Sequence, residues 1–182
     1  MRWAVGLLLA LGACGQAAAP AEQAKVRPPL APPKLIEIMY GGCMGECPVF
    51  TVAVSAYGKG ELVSDPDSKT ARKHPFSVSA AQFAAVAAAL DSIRPADISD
   101  LAEAERGTAW KQCDAYATDF PVRIVLWAGA DGKQQAMVWD KGCKLKRYEP
   151  VQPALDKALA LLPVAQWIGD TAKGPQASTR VK

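Results

Sequence analysis

Two cysteines four positions apart, Cys43 and Cys47, stand in the stretch Tyr40-Gly41-Gly42-Cys43-Met44-Gly45-Glu46-Cys47-Pro48-Val49-Phe50. Sulfurs at this spacing have three uses. They can close a small structural ring, cycle between dithiol and disulfide, or hold a soft metal such as copper with Met44, and with Met39 nearby, as thioether partners. The chain has five cysteines. With Cys14 set aside, Cys43, Cys47, Cys113 and Cys143 form an even set, which in an exported chain reads as disulfides. Four cysteines allow three pairings. Proximity favours Cys43 with Cys47, and Cys113 with Cys143 flank a predicted hairpin over residues 122–140. On chain entropy the longer loop contributes about 3 to 4 kcal/mol and the short one about 2 kcal/mol.

The competing chemistries meet obstacles in the residues themselves. A thioredoxin-like pair needs a helix N-terminus to lower a thiol pKa, and no helix is predicted at Cys43 or Cys47. Copper sites favour imidazole, and His74 is the single histidine. Zinc ribbons use paired short spacings, unlike one Cys-x3-Cys and two distant cysteines. A structural disulfide is therefore the leading reading, and a thiol-redox or copper site on Cys43, Met44 and Cys47 is the alternative. No catalytic residue and no cofactor are assigned. His74 precedes Pro75 in a possible edge strand, where an exposed polar role is the ordinary one. Asp97, Asp100, Glu103 and Glu105 cluster in one polar segment, without the two-sided placement that paired-carboxylate glycoside chemistry requires. Trp110, Trp127 and Trp139 would make an aromatic platform, but Trp127 and Trp139 fall in hairpin strands where packing is the usual use.

The motif Cys43-x-Gly45-x-Cys47-Pro48-Val49-Phe50, followed by Tyr57-Gly58-Lys59-Gly60, resembles the opening of a bacterial family of secreted domains of unknown function. Thr118-Asp119-Phe120-Pro121, Gly142-Cys143 and a closing Pro-x-x-Leu helix ending near Trp167-Ile168 are similar to that family's later half. The resemblance covers roughly residues 35–168. It implies a fold and its boundaries, and no activity.

The start of the chain says where such a domain would live. Met1-Arg2 and the apolar run from Trp3 to Ala13 read as a secretory signal, too short for the ~20 residues of a membrane span. Leu11-Gly12-Ala13-Cys14 resembles a lipobox, so Cys14 is expected to carry lipid, with cleavage at Ala17-Ala18-Ala19 as the plainer alternative. Gly15 after the lipid cysteine is compatible with outer-membrane sorting, facing the periplasm. Residues 14–34, with Pro20, Pro28, Pro29, Pro32 and Pro33 among alanines, read as a tether of up to roughly 60 Å. Loss of the signal lowers the formal charge from +3 to +2. Basic residues are scattered apart from Lys141, Lys144, Lys146 and Arg147, which speaks against nucleic acid as a partner. The expected partners are the membrane, through the lipid, and another envelope component or protein.

Residues 35–168 are expected to form one α+β domain, and 169–182 a disordered tail. Strands are predicted at Leu35 to Tyr40, Val49 to Ala56 and Glu61 to Ser64, with Thr70 to Phe76 either strand or loop. Ser79-Ala80-Ala81-Gln82 is a capping box, with Val78 and Phe83 in staple positions, so a helix starts at residue 80. Phe83, Val86, Ala87 and Leu90 give it one apolar stripe, and Arg94-Pro95 ends it. Residues 96–120 read as irregular and packed over the sheet. Val122 to Ala128 and Lys133 to Asp140 form a hairpin across Asp131-Gly132. Val122, Ile124 and Leu126 alternate with Arg123, Val125 and Trp127, as in a strand with one wetter face. Pro153 suits a first helical position, Leu155, Leu159 and Leu162 line one face, and Pro163 stops that helix. The expected architecture is an antiparallel sheet of about five strands with two helices on one face. The function these readings point to is a lipid-anchored, non-catalytic envelope module for binding or structure.

Overall fold

A computed structural model describes residues 31–44, 47–64, 71–95 and 109–168 of the 182-residue chain. Six strands form the main sheet: β1 (Leu35–Tyr40), β2 (Phe50–Ser55), β3 (Lys59–Ser64), β4 (Arg72–Ser77), β6 (Val122–Ala128) and β7 (Gln134–Asp140). They run in the order β4-β3-β2-β1-β6-β7, antiparallel throughout. Two further short strands, β5 (Ala115–Tyr116) and β8 (Cys143–Lys144), pair separately.

The sheet is larger than the five strands expected, because Arg72–Ser77 completes it as an edge. Pro75 lacks a ladder donor, but an edge strand can carry it with that side facing outward. Gly60 on β3 makes this edge possible. It lies opposite Phe76, whose ring occupies the space a Cβ at Gly60 would need.

Strand alternation sorts the side chains into two faces. Ile36, Ile38, Tyr40, Phe50, Val52, Val54, Leu62, Arg123, Val125, Trp127 and Met137 point to the core. The buried set of β6 is thus the one that contains Arg123, and the alternating residues Val122, Ile124 and Leu126 of the same strand are only half-buried. Helix α1 (Ala80–Leu90) closes this face with Phe83, Val86, Ala89 and Leu90 buried. Its capping box is complete: the Ser79 hydroxyl accepts from the Gln82 amide at 3.1 Å, and Gln82 Oε1 accepts from the Ser79 amide at 3.0 Å. Helix α2 (Val151–Ala160) packs beside it through Val151, Ala154, Leu155, Ala158 and Leu159. It begins two residues earlier than expected, with Pro150 at the cap, so Pro153 sits within the first turn rather than at its first position. A proline there still removes only a donor that has no helical acceptor. A short α3 (Ala165–Ile168) brings Trp167 against the core, stacked on His74 at 4.9 Å.

The sheet has two unlike ends. At one, the chain enters β1: the Lys34 amide donates to the Ala128 carbonyl and the Ala56 amide donates to the Lys34 carbonyl. The β2–β3 and β6–β7 turns lie at this same end, with Gly58 at φ +86° and Gly132 at φ +76°. At the other end β1 runs out into the cysteine corner and β7 into the β8 segment. A six-residue strand separates them, which is roughly 20 Å.

Candidate functional site

The register lays four large side chains side by side on the core face at the far end. Phe50, Tyr40, Arg123 and Trp139 are successive cross-strand partners on β2, β1, β6 and β7. Tyr40 stacks on Phe50 at 4.4 Å, and the Arg123 guanidinium lies 3.9 Å from the centre of the Tyr40 ring. That cation–π seat covers one face of a guanidinium that is only 4% exposed. Arg123 Nη1 donates to the carbonyls of Val122 at 3.2 Å and Gly41 at 3.4 Å, while Nε finds no acceptor. Three other enclosed polar atoms of this group make no hydrogen bond of good geometry: the Tyr40 hydroxyl, which Gln152 and Arg123 nonetheless approach, Trp139 Nε1 and Gln152 Oε1. Gln152 reaches the row from α2, with its Nε2 donating to Asp156 at 2.7 Å.

Burial pulls the Arg123 pKa below its ordinary value, opposed by Tyr40 and Asp156. Burial pushes the Tyr40 hydroxyl up, and the neighbouring Arg123 charge resists. Lys141, just past β7, holds its ammonium 5.7 Å from the centre of the Trp139 ring. Its pKa is pulled down, first by burial and then by the positive charge of Arg123. Two cations thus share one partly dry corner.

The cysteine corner hangs over this row. The Gly41 amide donates to the Val122 carbonyl at 2.9 Å, tying the corner to β6 one residue from Arg123. Cys43 and Cys47 are joined as a disulfide between two strands, and Met44 beside Cys43 is 80% exposed. Neither sulfur lies at a helix N-terminus. In this state the pair offers no thiolate to a metal, and His74 stands on the opposite edge strand, stacked on Trp167. The second disulfide joins Cys113 to Cys143, whose side chain is 6% exposed. It ties the segment before β5 to β8, and the Ala117 amide donates to the Gly142 carbonyl beside it. Gly142 is obligatory there, because a Cβ would overlap the Ala117 carbonyl. Among the described residues no cluster of three or more His, Cys, Asp or Glu side chains is arranged to hold a metal.

As their strand positions suggest, Trp127 and Trp139 are packed rather than displayed as an aromatic platform. Trp127 is fully buried core, and Trp139 joins the arginine row instead. Cys14, the tether up to residue 30, Asp97, Asp100, Glu103, Glu105 and the tail lie outside the described residues. Arg123, Tyr40 and Gln152 carry the polar centre of this end, and no local motif announces them. The only signal was an arginine placed in step with Val125 and Trp127. A groove of about 340 Å³ on the outer face, lined by Leu35, Ala53, Lys59, Glu61, Pro75 and Phe76, lies toward the end where β1 begins. No helix among the described residues is long and apolar enough to cross a membrane.

A family model described as a domain of unknown function (DUF6438) matches residues 34–159, and the chain belongs to that family. No curated protein and no solved structure matches it.

Proposed function

We propose that this member of the DUF6438 family is an exported envelope module, lipid-anchored at Cys14 on the outer membrane and facing the periplasm. It binds another envelope component without turning over a substrate. The observation that supports this reading is the polarity of the sheet: the tether enters at one end, while both disulfides, the exposed Met44 and the arginine row gather at the other. A domain held by a tether at its near end offers its far end to partners. Rigid, cross-linked loops suit recognition because little entropy is lost when they are bound.

The test uses the full anchored chain, with a photoreactive residue placed at Met44 or at Lys59. A discrete adduct from position 44 and none from position 59 supports the reading; adducts from position 59 alone, or from neither, contradict it. Cys14→Ser should release the protein in soluble form, and a mature N-terminus at Ala18 or Pro20 would remove the anchor from the account. The second reading, a thiol-redox or copper site on Cys43, Met44 and Cys47, draws on the exposure of Met44 beside the ring. Copper co-purifying with the oxidised protein, or free thiols at Cys43 and Cys47, would put it first.

A further inference from the structure

We propose that the arginine row is a binding site for a single carboxylate group, with Arg123, Lys141 and the Trp139 N–H as its donors. A buried arginine is ordinarily paired with a carboxylate or satisfied by carbonyls, because an uncompensated buried charge is costly. Arg94, the other buried arginine, follows the rule: Nε donates to Gln135 Oε1 at 2.7 Å and Nη2 to the Ala31 carbonyl at 2.9 Å. Arg123 departs from it. Both its hydrogen bonds leave from Nη1, and the ion pairs found among the described residues, Lys73–Glu61 and Lys133–Asp131, lie elsewhere.

The neighbours of Arg123 add donors rather than acceptors. Trp139 Nε1 is a donor only, Lys141 is a second cation, and the Tyr40 hydroxyl can give a proton. The acceptors without a hydrogen bond in the group are Gln152 Oε1 and the Tyr40 oxygen, both neutral, and the nearby negative charge, Asp156, accepts from the amide side of Gln152. This surplus of positive charge and N–H groups is what an anion would neutralise. With Nη1 committed to the backbone, the Nε edge of the guanidinium is left, and that edge matches a planar carboxylate in a two-pronged bond. The unpaired atoms are enclosed, which limits the site to one small group. The carboxylate belongs either to a small organic acid or to the C-terminus of a polypeptide.

The inference gives a ligand class to the binding end proposed above, but its test needs neither anchor nor partner. Purified full-length protein is titrated with acetate, with a tripeptide acid and with the same tripeptide amidated, while the Trp139 indole N–H is followed by NMR. Chloride and inorganic phosphate at matched ionic strength are the controls. The expected result is a saturable shift with acetate or the tripeptide acid, absent with chloride and with the amide, and about tenfold weaker binding in Lys141→Gln. The tripeptide acid binding more tightly than acetate would name a polypeptide C-terminus as the source; equal binding would name a small acid. Trp139→Phe keeps the ring packing but removes the N–H and with it the indole probe, so its binding is read by calorimetry, where it should be weaker than the parent's without loss of fold. The proposal is overturned if no probe moves the indole signal, as when a fixed water fills the site, if chloride moves it equally, if inorganic phosphate binds and acetate does not, or if Lys141→Gln binds as the parent does.

Discussion

The two buried arginines mark two ends of one sheet that have been finished differently. At the end where β1 begins, Arg94, 8% exposed, gives its protons to Gln135 and Ala31, and Gln135 in turn donates to the Pro95 carbonyl at 2.8 Å. The result is a closed knot joining the segment after α1, the segment before β1 and β7. At the cysteine end Arg123 is more deeply buried, yet its Nε, the Trp139 indole N–H and the Tyr40 hydroxyl make no hydrogen bond of good geometry. Deeper burial with poorer satisfaction separates Arg123 from an arginine that holds the fold. Trp127 Nε1 at the first end also lacks a partner, but several such atoms and both disulfides gather at the second.

Breaking the cysteine end should have the largest effect, and the two bridges should differ. Replacing Cys113 and Cys143 together by alanine should cost about 3 to 4 kcal/mol, against about 2 kcal/mol for Cys43 and Cys47, on loop length alone. Burial of Cys143 widens that gap. Thermal unfolding of the two double variants measures it, and the reverse order would show that the short ring is the main staple.

The arginines should separate next. Arg94→Met strands Gln135 Oε1 and the Ala31 carbonyl, and should lower stability by about 1 to 3 kcal/mol in denaturant unfolding. Arg123→Met removes an incompletely paired buried charge of similar volume, and should change stability by no more than about 1 kcal/mol. Equal losses would erase the distinction between the ends.

On the far edge of the sheet, Gly60→Val would drive a side chain into the Phe76 ring, and should cost about 1 to 3 kcal/mol by displacing β4. A loss confined to β4, seen as faster amide exchange over Arg72–Ser77 with slow exchange kept in β1 and β6, would localise it.

The smallest effect concerns Lys141, whose pKa is pulled down in the fold by burial and by Arg123. The unfolded chain therefore holds that proton more tightly, so the charged lysine detracts from stability at neutral pH. The penalty fades as pH rises toward the ordinary lysine value of about 10.4. Lys141→Met should thus be slightly more stable than the parent at pH 7, with the gap closing above about pH 10. Tyr40, raised by burial, is common to both proteins and cancels in the comparison.

Much of this arrangement is legible in the sequence, and the illegible parts have physical causes. The helix after Ser79 announces itself because capping is a local interaction among adjacent residues, and the observed cap has both of its hydrogen bonds. The hairpin at Asp131-Gly132 is equally local. The edge strand carrying Pro75 is ambiguous because proline weakens a strand pattern everywhere except at an edge, and edge position is a tertiary fact. Strands β5 and β8, with two residues each, are too short to show a period. Arg123 misleads for a deeper reason. Alternation separates two faces but does not say which is inside, and an arginine argues for water until Tyr40, far away in the chain, supplies its seat. Gln152 lies on a helix whose start is set by Pro150, so its approach to Tyr40 depends on packing that no nearby residue encodes.

The central claim is that the cysteine end recognises a partner and does not exchange electrons, and the reduction potentials of its two disulfides test this most directly. Full-length protein equilibrated in graded thiol buffers, then alkylated and peptide-mapped, should keep both Cys43–Cys47 and Cys113–Cys143 oxidised down to potentials below about −300 mV, as structural disulfides do. Reduction of Cys43–Cys47 between about −120 and −270 mV, the range of dedicated thiol oxidoreductases, would contradict the claim and make the corner a redox site.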